Sequence, residues 1–275
     1  MKIGIDLGGT NIRVGAVSDG KIVRKAQVPT PHTSCPDEVV DAIVNLIRQV
    51  AADDAIEGIG IGVPSVVDWE KGIVYNVMNI PSWKEVHIKD ILEGTFGVPV
   101  AVNNDANCFA LGEKMYGAAR LYDDVVGITL GTGVGAGLIF DGRLYSGRNT
   151  AAGEVCSLPY LESDYEHYCS SGFFVDRGTT GRDAATLASK GNADIMPVWQ
   201  EFGSHVGNLV KAVLLAYDPQ AIVFGGSIAK AFEHFEKPMM QSLETFMYPN
   251  MVQRLKIFVS ELDDVAIYGA SALVQ

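Results

Sequence analysis

The sequence lacks any apolar run long enough to cross a membrane, which excludes a helical membrane span. It has only four cysteines, Cys35, Cys108, Cys156 and Cys169, at scattered positions. Such spacing is no disulfide framework and points to a reducing cytoplasm. Positive charge is scarce: 21 Lys and Arg stand against 33 Asp and Glu, a net charge of −12. That balance argues against a nucleic-acid or anionic-membrane partner. Asp6 interrupts any signal-peptide core behind Met1-Lys2. No G-x-x-x-x-G-K-[ST] occurs, so the chain is not a P-loop protein. What remains is a globular composition, 48% hydrophobic and 20% charged over 275 residues, a length that favours two domains.

The stretch that organises the rest is Met1 to Arg13, MKIGIDLGGTNIR. Ile3, Ile5 and Leu7 alternate with smaller or polar residues, which predicts a strand. It runs into Gly8-Gly9-Thr10 and returns as a second strand, Ile12 to Val17. Adjacent glycines let backbone approach a ligand, and consecutive amides in such a turn can line up on an anion. Asp6 beside that turn is placed to hold a cation or a metal-bound water. From this stretch alone, an ordinary Gly-Gly hairpin and a phosphate-and-magnesium turn both fit.

Along the chain, Lys21 to Pro29 predicts a third strand, Pro36 to Ala52 a helix and Ile56 to Val63 a strand. Asp68 to Trp83 reads as irregular, Val86 to Phe96 as a short helix, and Val98 to Val102 as a strand leading to Asn103-Asn104-Asp105-Ala106-Asn107. A helix follows over Ala106 to Met115. Asp124 to Leu130, Gly131-Thr132-Gly133 and Val134 to Phe140 then repeat the strand, turn, strand grammar of the start. Ser146 to Phe174 is Gly-rich and polar with little periodicity, whereas Val198 to Tyr217 carries one continuous apolar face. Ala221 to Phe224 predicts a buried strand, with Gly225-Gly226 after it and Ser227 placed to cap a helix. Leu255 to Val259 and Val265 to Val274 close the chain as strand and helix.

Three glycine turns thus each follow an apolar strand: Gly8-Gly9, Gly131-Thr132-Gly133 and Gly225-Gly226. The run Gly131 to Gly137 leads into a strand, not a helix, which argues against a dinucleotide fingerprint. Nucleotide phosphates held between two halves fit the pattern better than purely structural turns.

Together with Asp6-Leu7-Gly8-Gly9-Thr10, Asn103 to Asn107, Leu130 to Gly137 and Gly153-Glu154, these turns stand in the order and spacing of the ROK family of sugar kinases, which the whole chain resembles. The resemblance implies an α/β, two-domain, actin-like or ribonuclease H-like ATPase fold with an interdomain cleft for ATP and sugar. It divides the chain into residues 1–105 plus 263–275, a smaller domain, and residues 106–262, a larger one. It implies transfer of the γ-phosphoryl group of Mg-ATP to a hexose hydroxyl, usually at carbon six. ROK repressors carry an N-terminal helix-turn-helix, for which a phosphate turn starting at Asp6 leaves no room; the expectation is an enzyme. A cytoplasmic homodimer is expected by the same resemblance, with a hexose or amino sugar as substrate.

Carried over by position, Asp105 is implied as general base, taking the proton of a hydroxyl that is otherwise a poor nucleophile. An N-cap aspartate fits the same position. Asn104 and Glu154 are implied to bind sugar hydroxyls, as are Asn79 and Ser65, although a plain turn after Pro64 also accounts for Ser65. Asp6 is implied to organise Mg2+, through water. Gly8, Gly9, Thr10, Thr132 and Gly133 are implied to hold phosphates, with Gly225 and Gly226 near the nucleoside.

The chain departs from the family after Glu154. Val155-Cys156-Ser157 puts serine where the family has histidine, and Tyr165 to Phe174 keeps only Cys169 and Gly172 of a zinc-binding C-x-C-G-x-x-G-C-x-E segment. No zinc site is expected. Cys156, His167 and Cys169 form at most an incomplete substitute, and Tyr168, Phe173 and Phe174 are expected as an apolar cluster instead. The loss points to an acceptor other than glucose, such as an N-acylated amino sugar, mannose, fructose or allose. The alternative is a catalytically silent sugar-binding regulator of the same fold.

Overall fold

Alternation in the first residues has a direct outcome: Ile3, Ile5, Leu7, Ile12 and Val14 are all fully buried on two antiparallel strands. The computed structural model describes residues 1–32 and 35–274. In chain order it gives β1 (Lys2–Leu7), β2 (Asn11–Ser18), β3 (Lys21–Pro29), α1 (Pro36–Ala51) and β4 (Gly58–Val63). Next come the short β5 (Val67–Asp68), β6 (Ile73–Tyr75) and β7 (Glu85–Val86), then α2 (Ile88–Phe96), β8 (Val100–Asn104) and α3 (Asp105–Met115). The chain continues with β9 (Val125–Leu130), β10 (Val134–Phe140), β11 (Arg143–Leu144), β12 (Pro159–Tyr160) and β13 (Ser163–Asp164). It proceeds through α4 (Tyr165–Cys169), α5 (Ser171–Val175), α6 (Gly181–Ser189), α7 (Met196–Tyr217) and β14 (Ala221–Gly225). It ends with α8 (Phe232–Leu243), α9 (Pro249–Arg254), β15 (Lys256–Val259) and α10 (Val265–Ala272).

Two compact units result. Unit one is Met1–Leu121, Gly137–Ala152 and Glu261–Gln275; unit two is Tyr122–Ala136 and Gly153–Ser260. The division expected from the sequence has α3 and residues 137–152 in the second domain, whereas contact groups them with unit one. The cause is close helix packing: a Cβ at Gly269 of α10 would sit 1.7 Å from the Cys108 carbonyl oxygen of α3. Only glycine lets the two helices approach that near.

Unit one is built on a five-stranded sheet of order β3-β2-β1-β4-β8. β1, β4 and β8 run parallel, so their carboxyl ends share one edge of the sheet. The strands β4 (GIGIGV) and β1 are buried on nearly every residue, as expected where helices cover a parallel sheet. Helix α1 buries Val39, Ile43, Leu46, Ile47 and Val50 in this unit's core. The stretch Asp68 to Trp83, expected to be irregular, contains part of a small antiparallel sheet, β5-β6-β7. Its strands are two or three residues long, too short to show alternation.

Unit two places β14 between β9 and β15, both parallel to it. Helix α7 buries Trp199, Phe202, Val206, Leu209, Val210 and Val213. The segment from Gly153 onward, unpredictable from periodicity, is a 3-10 turn, the β12–β13 hairpin and the one-turn helices α4 and α5. Ser227 does not cap a helix; a 3-10 turn over Ala229–Ala231 precedes α8, and no side chain caps either. Among the described residues, no helix is long and apolar enough to cross a membrane.

Candidate active site

The carboxyl edge of the unit-one sheet gathers most of the candidate residues. Register runs straight across four strands: Arg13 lies opposite Asp6, Asp6 opposite Gly62, and Gly62 opposite Asn103. Two strand spacings put the Cα atoms of Asp6 and Asn103 about 10 Å apart. Gly62 lets α3 sit close on the sheet between them, since a Cβ there would meet Cys108 Sγ at 2.9 Å, with the Asp105 Cα at 3.5 Å. Burial pushes the Cys108 thiol well up, and the negative charges of Asp105 and Asp6 add to that. Both carboxylates therefore act on one buried atom.

Asp6 is buried and ion-paired with the half-exposed Arg13. Burial raises its carboxyl pKa, the Arg13 charge and hydrogen bond pull it back down, and Asp264 opposes them. Arg13 lies 4.0 Å from Asp264, which in turn holds Lys25 at 2.7 Å. Nothing local in the sequence marks Arg13; its place opposite Asp6 follows from hairpin register alone. One buried carboxylate beside a backbone turn suits magnesium, which takes one or two carboxylates and completes its shell with water and phosphate.

The Gly8-Gly9-Thr10 turn is pinned from behind. Thr30 donates its hydroxyl to Gly8 O at 2.6 Å and its amide to Thr10 O at 2.9 Å. Asn79 packs on this turn, so a Cβ at Gly9 would lie 2.5 Å from Asn79 Cβ and 3.2 Å from its amide nitrogen. Thus Asn79 and the glycines, seventy residues apart in sequence, meet.

Asp105 opens α3 but is not its N-cap. Asn104 holds that role: its Oδ1 accepts the amides of Ala106 at 2.9 Å and Asn107 at 3.3 Å. Asp105 Oδ1 also accepts the Ala106 amide, at 2.9 Å. Asn104 Nδ2 reaches Ser65 O at 3.4 Å, and Ser65 donates its hydroxyl to Tyr75 O at 2.6 Å. Beneath them Asn103 is buried, accepting from Asn104 N at 2.8 Å and Asn107 Nδ2 at 2.9 Å and donating to Ser146 Oγ at 2.9 Å. These bonds fix the strand-to-helix corner on which the Asp105 side chain, neither buried nor fully exposed, is mounted.

Unit two brings the other two turns together. Gly225 lies opposite Thr129, at the ends of β14 and β9, and a Cβ at Gly131 would be 3.8 Å from Ser227 Oγ. Gly226 has φ +86°, and a Cβ on it would strike Leu130 O at 2.3 Å, so glycine is required there. Ser171 donates its amide to Gly131 O at 2.8 Å and its hydroxyl to Thr132 O at 3.2 Å. Glu166, also unforeseen, stands beside the same turn, with Val134 N donating to its Oε2 at 3.5 Å. Glu154 starts the 3-10 turn over Glu154–Ser157. Burial raises its carboxyl pKa and the nearby Glu166 raises it further.

The region where the zinc segment would lie is aromatic. Phe173 and Phe174 are fully buried and pack on Phe202, with Phe174 also against Trp199 at 4.9 Å between ring centroids. Tyr168 meets His205 at 4.8 Å and Tyr160 edge-on at 5.5 Å. His167 turns to Asp176 at 3.0 Å, while the Cys156 and Cys169 thiols are buried and held protonated by that burial. Among the described residues, no group of three or more His, Cys, Asp or Glu is placed to hold a metal.

A profile of the ROK family matches residues 2–275. The chain belongs to the ROK family. It is 30% identical over 306 aligned positions to a glucokinase from Thermotoga maritima, covering 99% of this chain and 96% of that one. It is 42% identical over 158 residues to an N-acetyl-D-glucosamine kinase from Photobacterium profundum, a match to 56% of this chain and 51% of the other. Among solved structures, a ROK family glucokinase from Streptomyces griseus, in complex with glucose and AMPPNP, superposes with a TM-score of 0.85 at 27% identity, covering 99% and 98% of the chains. The α/β, actin-like fold expected from the sequence is the ROK fold found here.

Proposed function

We propose that this ROK chain, an ATP-dependent sugar kinase, phosphorylates a hexose or hexose derivative at its 6-hydroxyl with Asp105 as general base. The observation that carries the reading is the shared sheet edge, which sets Asp6 and Asp105 on either side of Gly62. Asp105 accepts the proton as the sugar oxygen bonds to the γ-phosphorus, and ADP leaves. Because Asn104 and the Asn103 network set the corner, the base is positioned before substrate arrives.

The Gly8, Gly9 and Thr10 turn takes phosphate oxygens on its backbone amides, Thr132 and Gly133 have the same role on their own turn, and Gly225 and Gly226 take the nucleoside. Asp6 would hold Mg2+ through water, and the ion would offset charge on the phosphates. Asn79, Asn104 and Glu154 bond sugar hydroxyls. Ser65, whose proton is given to Tyr75 O, accepts from one.

A silent regulator is favoured only by Ser157 in place of the family's histidine. Coupled ADP release over a hexose panel, with NMR of the product, tests the choice. A kinase gives sugar-dependent turnover and a 6-phosphate; the regulator gives sugar binding without turnover.

A further inference from the structure

A cavity of about 490 Å³ opens on unit one between the β5–β6 turn and the loop after β11. Trp69, Asp68 and Tyr75 line one side, Arg148 and Asn149 the other. Its volume is that of a small-molecule site, roughly 300–1,000 Å³, and exceeds what an acetamido group fills.

Three features give its chemistry. Trp69 is 45% exposed, while Trp83 and Trp199 are fully buried, so one indole of three is open to solvent, and it lines this cavity. Arg148 has no hydrogen bond or ion pair among the described residues. Charges in the lining cancel, since Asp68 and Glu70 offset Lys71 and Arg148, with Asp68 and Lys71 3.6 Å apart. A cancelled charge gives no preference for an anion. An aromatic face beside a guanidinium and carboxylates suits a neutral, polyhydroxylated ring: its C–H face stacks, and its hydroxyls bond to donors and acceptors at the edge.

Its location is tied to the sugar side of the candidate active site. One wall starts at Ser65, bonded to Tyr75 O and to Asn104 Nδ2 through its own carbonyl. The other follows Ser146, bonded to Asn103, and ends at Thr150, whose Oγ1 accepts the Val67 amide at 2.8 Å. The walls are thus tied to each other and to the corner that carries Asp105.

We propose that this pocket holds a second sugar ring, joined to the ring whose hydroxyl faces Asp105, so that the acceptor is a disaccharide or glycoside. The inference rests on the sugar-kinase reading. The chemistry is unchanged: the acceptor oxygen–phosphorus bond forms, the β–γ bridge of ATP breaks, and Asp105 takes the proton.

Tryptophan fluorescence tests it without turnover. Titration of the ATP-free protein with maltose, cellobiose, sucrose and the matching monosaccharides is expected to give a saturable emission change with a disaccharide. Trp69→Phe is expected to abolish the change. In ADP-release assays, Trp69→Ala and Arg148→Ala are expected to raise KM for that disaccharide about tenfold while leaving KM for the hexose unaltered. Trp69 is exposed, so its loss leaves the fold intact. The proposal is overturned if no disaccharide changes emission, if only sugar acids do, or if the variants affect hexose and disaccharide alike. Disaccharide binding without any sugar turnover would instead overturn the kinase reading and leave the pocket standing.

Discussion

A single glycine, Gly62, stands between Asp6 and the strand that leads to Asp105. Asp6 pairs with Gly62 across β1 and β4, and a side chain on Gly62 would run into Cys108 of α3, the helix that Asp105 opens. The glycine lets α3 seat closely on β4, and that contact fixes where Asp105 stands relative to Asp6.

Gly62→Val is therefore expected to damage catalysis and packing together. The first added carbon already lies 2.9 Å from Cys108 Sγ, and overpacking of this kind costs about 1–3 kcal/mol. Thermal unfolding reads the stability loss, and ADP release reads a fall in kcat that exceeds what the unfolded fraction explains.

Asn104→Ala removes the cap that Asp105 does not replace. The expected loss is about 0.5–2 kcal/mol, accompanied by lower kcat because the corner carrying the base loosens. Asn104→Asp keeps an acceptor for the Ala106 and Asn107 amides and is expected to restore stability but not sugar affinity. Denaturant melts beside steady-state kinetics separate the two roles.

His205 supplies a pH dependence of stability. Burial lowers its pKa below the ordinary 6.5, with Glu201 opposing and Arg177 assisting. The unfolded chain then takes up a proton at higher pH than the folded one does. Stability is accordingly full above the unfolded pKa and falls as pH drops through it toward the folded value. Melting between pH 7.5 and pH 5 is expected to show this fall, reduced in His205→Phe, whose ring can keep the contacts with Tyr168 and Phe173.

How far these features were legible in the sequence varies with range. The β1–β2 hairpin, α1, α7 and the three glycine turns were readable because period and punctuation are local properties. The identity of the α3 cap was not: Asn104 and Asp105 are both good cap residues, and only the backbone geometry chose between them. Arg13 escaped notice because its partner is set by strand register, and Glu166 because the single turn of α4 shows no periodicity. Trp69 and Arg148 lie far apart in the chain, so nothing in their neighbourhoods marks a common pocket. Phe173 and Phe174 read as an apolar cluster, yet their partners Trp199 and Phe202 come from α7, which sequence placed without a destination.

The most direct measurement is sugar-dependent ADP release by Asp105→Ala, made with sugar affinity on the same protein. The account predicts that kcat drops by about 10²–10⁴-fold while binding and melting temperature stay near those of the unaltered chain, since Asn104 still caps α3. Turnover close to that of the unaltered protein would contradict it, and the proton would have to leave by another route.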